Sequence, residues 1–187
     1  MPETNKNPYL EKAADELIVK AKIAEPQITQ DMKEIEEKTR CELVGLYEKI
    51  IDKNDLMQVI DIKQTMLIQN VLSYTIVTNA ERYVKTYKEV YKILYSKGYL
   101  QTEWINYWND TSAFKGIITK FVTPDNYVFE IQFHTLGSLE LNKELIPMHK
   151  KLREAFNLDS QEYAKLKNEM MSLSNNVKIP ANLDKLT

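Results

Sequence analysis

Lys115 to Thr135 runs K-G-I-I-T-K-F-V-T-P-D-N-Y-V-F-E-I-Q-F-H-T and reads as a β-hairpin, with Pro124 and Asp125 as turn residues in the segment Thr123 to Asn126. From Tyr127 onward the residues alternate. The two-residue period of a strand puts Tyr127, Phe129, Ile131 and Phe133 on one face and Val128, Glu130, Gln132 and His134 on the other. The first face is core. The second carries a carboxylate, an amide and an imidazole in successive same-side positions, either a solvated strand face or a ligand face, and more than a half-buried strand needs for stability.

Upstream of the hairpin, Tyr9 to Ala24 has the apolar spacing of a helix that ends before Pro26, and Thr29 is placed to cap a second, long helix through Met32, Ile35, Leu43, Leu46 and Ile50. Asn70 to Val77 reads as a buried first strand, Ala80 to Lys97 as a helix stopped by Gly98, and Tyr99 to Trp108 as a further strand. Downstream, Leu139 to Ala155 is expected to be helical with an interruption at Pro147. Asp159 and Glu162 resemble a capping box opening a last helix to about Leu173. The expected class is α+β, a small mixed sheet flanked by helices, in one domain: an N-terminal helix over 1–25, a core over 26–174 and an extended tail over 175–187.

Composition narrows the chemistry. The chain has 187 residues, 43% hydrophobic and 28% charged, with a net charge of −2, so bulk charge gives no reason to expect nucleic acid or an anionic membrane as partner. Cys41 is the single cysteine, which excludes an internal disulfide and a cysteine-built zinc site and reads as a small buried hydrophobe. No apolar run approaches about 20 residues and the first residues have no signal-peptide pattern, so a soluble, leaderless chain is expected, cytoplasmic or exported by another route. Tyr83, Tyr87, Tyr91 and Tyr95 recur every four residues and predict a core-facing stripe, with a partner-binding surface as the alternative, while Trp104 and Trp108 suit either core or stacking.

F-E-I-Q-F-H-T at Phe129 to Thr135 is similar to the E-V-Q-F-H-T strand of the RelA/SpoT synthetase family, above all its small single-domain nucleotide pyrophosphokinases and toxin domains. L-V-G-L at Leu43 to Leu46 matches too. N-V-L-S-Y-T at Asn70 to Thr75 and F-K-G-I at Phe114 to Ile117 stand where the family shows D-A-L-R-Y-T and Y-R-G-I-N. The resemblance implies a nucleotidyltransferase-like α+β fold and transfer of pyrophosphate from ATP to the 3′-hydroxyl of a purine nucleotide, with Mg2+ on the phosphates.

Carried over residue by residue, the resemblance implies that Glu130 holds Mg2+ or orients the acceptor hydroxyl, with Asn70 as a weak neutral replacement for a second carboxylate. It puts Lys49, Phe114, Lys115, Asn106, Gln132 and His134 on the nucleotide, Phe114 in place of a stacking tyrosine. Several charged positions are neutral here: Ile51 and Val59 after L-V-G-L, Ser73 where the strand has Arg, Ile105 beside Asn106, and Ile118 where the family has Asn or His. The framework is kept while phosphate-facing cations are lost, and the expected function is a degraded pyrophosphokinase site that binds a purine nucleotide or a protein partner, in the manner of a secreted effector. An active pyrophosphokinase with a rearranged cation set is the alternative.

Overall fold

The computed structural model describes residues 7–63, 68–108, 112–154 and 160–186. In chain order these form helix α1 (Pro8–Thr39), strand β1 (Glu42–Val44), α2 (Lys53–Lys63), β2 (Ser73–Val77), α3 (Tyr83–Ser96), β3 (Leu100–Asn106), β4 (Ile117–Val122), β5 (Val128–His134), α4 (Leu136–Glu154), α5 (Ser160–Ser174) and a 3-10 turn over Leu183–Leu186. The strands make one mixed sheet in the order β1-β2-β5-β4-β3. The central β2–β5 pair is parallel and the other pairs are antiparallel.

One face of the sheet is the core. Tyr74 and Ile76 of β2, Phe129, Ile131 and Phe133 of β5 and Phe121 of β4 are all buried there. Two helices cover this face. From α3, Tyr87 packs on Phe133 with ring centroids 5.0 Å apart, and Tyr83 donates its hydroxyl to the Phe133 carbonyl at 2.7 Å. From α1, the Thr29 hydroxyl meets that of Tyr74 at 2.7 Å, and Asp31 accepts from Tyr99 at 2.6 Å.

Pro26 does not end the first helix. It sits inside α1, a helix of 32 residues, and Thr29 is a mid-helix residue rather than a cap. An interior proline costs about 3 kcal/mol through its missing N–H. Here Pro26 and Lys22, whose carbonyl it frees, are both exposed residues, while buried Ala13, Ala14 and Ala21 before it and Ile28, Met32 and Ile35 after it hold one continuous face on the core. Burial at about 1.5–3 kcal/mol for each large side chain outweighs the proline. The helix ends at Thr39 with Arg40 in the left-handed conformation, φ 53°. Leu43, expected on a helix, lies in β1, and Leu46 and Ile50 follow it outside any helix.

Other boundaries move for local reasons. The strand expected from Asn70 begins at Ser73, because Leu72 pairs back to Ile50 in an isolated bridge. Helix α4 starts before Leu139, since Thr135 and Ser138 cap it reciprocally: Ser138 N–H donates to Thr135 Oγ1 at 3.2 Å and Thr135 N–H to Ser138 Oγ at 3.0 Å. It runs through exposed Pro147 without a break. Asp159 lies outside the described residues. The tail is not wholly extended, as buried Leu183 anchors its 3-10 turn. The tyrosine stripe is half core: Tyr83 and Tyr87 are buried but Tyr91 and Tyr95 are exposed and stack on each other. Each four-residue step overshoots a full turn by about 40°, so the row rolls off the buried face.

Candidate functional site

The second face of the sheet, away from α1 and α3, carries the polar residues of β5. Register fixes their neighbours: Glu130 stands opposite Ser73 on β2 and opposite Lys120 on β4, and Gln132 stands between Thr75 and Ile118. Glu130 is buried. Its Oε1 accepts from Gln132 Nε2 at 2.8 Å and from Ser73 Oγ at 3.4 Å, and among the described residues no hydrogen bond reaches Oε2. A carboxylate with one oxygen held by uncharged donors and the other unclaimed can take a hydroxyl or a hard cation.

The end of the face beyond Gln132 is aromatic. Phe114 stands edge-on to Tyr107 and to His134, both at 5.2 Å between ring centroids. His134 is fully buried, with Nδ1 3.0 Å from Ser138 Oγ and, among the described residues, no hydrogen-bond partner for Nε2. Burial pushes its imidazole down to about 4 while a backbone group of Lys115 pulls the other way. It is therefore neutral at pH 7 and offers no positive charge to a phosphate. Gly116 is forced here: at φ 158° a Cβ on it would lie 2.8 Å from the Phe133 carbonyl oxygen and 3.2 Å from the His134 ring.

The sequence-derived candidates separate into three groups. Glu130, Gln132 and Ser73 meet directly. Phe114 and His134 meet each other at the aromatic end, where Lys115 is buried with its ammonium donating to the Ser112 carbonyl at 3.1 Å, and Asn106 uses its side-chain oxygen to accept the Trp108 N–H at 3.0 Å. Lys49 and Asn70 are the third group, and the Lys49 carbonyl accepts the Ser73 N–H at 2.8 Å. Lys49 forms an ion pair with Glu25 of α1 at 2.9 Å and donates to the Leu46 carbonyl, while Asn70 precedes β2 and makes no described contact with Glu130. Trp108 is a core residue, edge-on to Tyr83 at 5.5 Å.

Lys120 and its partner Glu103 are not singled out by the sequence. Lys120, opposite Glu130, pairs with Glu103 of β3 and reaches Gln69 Oε1 at 3.4 Å. The hairpin turn contains the signal, because pairing Val122 with Val128 across it sets Lys120 against Glu130. Among the described residues no group of three His, Cys, Asp or Glu side chains could hold a metal by itself. The donor set, one carboxylate with Gln132 and Ser73 beside it, fits Mg2+ where a ligand's phosphates complete the shell. A separate cavity of about 770 Å³ between α1 and the β4–β5 turn, lined by Ile28, Asp31, Tyr99 and Tyr127 among others, opens on the core side of the sheet, away from Glu130. No described helix is long and apolar enough to cross a membrane.

No family model and no curated protein matches the sequence. Solved structures do match. The small alarmone synthetase 2 of Bacillus subtilis superposes with a TM-score of 0.62 at 13% identity, covering 86% of this chain and 91% of that one. The small alarmone synthetase 1 of the same organism, bound to its product pppGpp, gives 0.57 at 14% identity over 95% and 92%. The type VI effector Tas1, in complex with its immunity protein, gives 0.57 at 17% identity over 89% and 94%. The chain has the α+β fold of these RelA/SpoT-like synthetases.

Proposed function

We propose that this chain binds a purine nucleotide on the Glu130 face of its sheet and transfers pyrophosphate poorly or not at all. One observation carries this: of the lysines nearest the face, Lys49 is held by Glu25 and Lys115 by the Ser112 carbonyl, which leaves Lys120, paired with Glu103, as the lysine beside Glu130. Phosphoryl and pyrophosphoryl transfer depend on charge stabilisation, and each missing electrostatic group costs roughly 2.7–4 kcal/mol of barrier. The aromatic end built on Phe114 remains suited to a base, since stacking needs only a ring. Glu130 would hold Mg2+ together with the nucleotide's phosphates.

Titration calorimetry with ATP, GDP and GTP, with and without Mg2+, tests the binding, and a chromatographic assay for AMP tests the transfer. The expected result is Mg2+-dependent binding without AMP. Acceptor-dependent AMP release would overturn the non-catalytic half of the proposal.

A second function, active transfer, is favoured by the unclaimed Oε2 of Glu130. The 3′-oxygen of the acceptor would attack the β-phosphorus of ATP, and the bond to the oxygen bridging the α- and β-phosphorus would break. AMP would leave with that oxygen and Glu130 would receive the hydroxyl proton. Loss of AMP release in Glu130→Gln would support it, and unchanged release would dismiss it.

A further inference from the structure

We infer that Lys120 is the residue that meets the phosphates of a bound nucleotide, and that Glu103 occupies Lys120 as an internal stand-in for phosphate until the ligand arrives. The inference rests on the nucleotide-binding function proposed above and names the cation and the gate of that same site.

Position is the first argument. The strand neighbours of Glu130 are Ser73 on one side and Lys120 on the other, so of these two flanks β4 supplies the positive charge beside this carboxylate. A lysine ammonium is a compact point charge that binds phosphate oxygens well. Placed next to Glu130, it would face the same phosphates whose Mg2+ the carboxylate holds.

The bulge in β3 is the second. Leu100 pairs with Val122 and Gln101 with Phe121, a register that continued unbroken would set Thr102 opposite Lys120. One extra residue enters between Gln101 and Glu103, and Glu103 takes that position instead. Bulges on edge strands re-aim side chains, and this one replaces a hydroxyl with a carboxylate facing the lysine. Glu103 is half-exposed at 36% on a strand that forms the sheet's edge, so its carboxylate can turn to water when displaced. Lys120 is the more covered partner at 18%, so displacement moves Glu103 rather than the lysine, and a phosphate group brings more charge and more acceptor oxygens than the carboxylate it would replace.

ATP binding measured by calorimetry with Mg2+, at low and at raised salt, tests this on the full chain and on Glu103→Gln, Lys120→Met and Lys120→Arg. Glu103→Gln should bind ATP about threefold to tenfold more tightly, because the internal competitor is gone. Lys120→Met should bind about tenfold more weakly with a shallower salt dependence, and Lys120→Arg should stay close to the parent chain. Lys120→Met binding ATP as tightly as the parent, or Glu103→Gln failing to tighten it, would overturn the inference and leave nucleotide binding itself standing. No ATP binding by the parent or by Glu103→Gln would overturn both. If circular dichroism shows Lys120→Met unfolded, Glu103→Gln and Lys120→Arg decide the matter.

Discussion

Acidification should destabilise this fold through His134 in particular. The side chain is fully buried against Phe114 and the start of α4, and burial holds its pKa at about 4 in the folded chain against an ordinary 6.5. The unfolded chain, with its imidazole in water, therefore takes the proton first. Between these two values the unfolded state binds more protons than the folded one, so stability falls as pH drops through that window, and the loss is complete below the folded value. At about 1.4 kcal/mol per pH unit the full effect is about 3 kcal/mol, of which about 2 kcal/mol has been lost by pH 5. Urea unfolding of the parent chain and of His134→Gln, from pH 7.5 down to 5, isolates this from carboxylates common to both. The variant starts less stable because it disturbs the Ser138 contact, but its curve should fall less steeply, the two converging by about 2 kcal/mol. With only two histidines in the chain, the His134 Cε1–H resonance is assignable by this variant and should hold its neutral position at pH 5.5. A constant gap between the two stabilities, or a His134 midpoint near 6.5, would refute the reasoning.

Tyr83→Phe should lower unfolding stability by about 1–2 kcal/mol, because the buried hydroxyl's 2.7 Å bond to the Phe133 carbonyl is lost, and chemical denaturation reads it directly. Asp31→Ala leaves the Tyr99 hydroxyl without its acceptor under α1, while Lys97 keeps Glu34 at 2.6 Å, and should cost about 1–2 kcal/mol by the same measurement. Although burial pushes the Asp31 carboxyl up, hydrogen bonds from Tyr99, Lys97 and Gln27 and the Lys97 charge bring it below its usual range, so its contribution is present at neutral pH and fades in acid. Thr135→Ala removes half of the reciprocal cap on α4 and should cost about 1 kcal/mol, seen as a lower thermal midpoint. Glu130→Gln should abolish the Mg2+ dependence of ATP binding while leaving the far-ultraviolet circular dichroism unchanged; retention of that dependence would remove Glu130 from the metal's shell.

The hairpin and its two faces were legible because strand alternation and a Pro-Asp turn act over a few residues. Helix α1 was misread for the opposite reason. Local rules stop a helix at Pro26, but what sustains it is contact with residues far along the chain: Tyr74 on Thr29, and Tyr99 and Lys97 on Asp31. Propensity is a weak prior where a whole face is buried. The strand Glu42–Val44 was hidden similarly, since three residues carry no periodic signal and their pairing to β2 is a tertiary fact.

The candidate site divides along the same line. Glu130, Gln132 and His134 share one strand, and their common face follows from spacing alone. Ser73 and Lys120 flank Glu130 from two other strands, one joined to β5 by a parallel, long-range pairing and the other by the hairpin. In the sequence Ser73 shows only as a missing arginine and Lys120 as an ordinary residue of the hairpin, although the turn's own register sets Lys120 beside the glutamate. Glu103 was beyond reach, because its position depends on a bulge that no residue pattern in L-Q-T-E-W announces. Counting cations along aligned motifs therefore finds a loss at residue 73 and overlooks a lysine on the opposite flank of the same carboxylate. What the sheet does with charge is set by which strands lie side by side, and a site can lose a cation in one strand and hold another in the next without any motif recording the exchange.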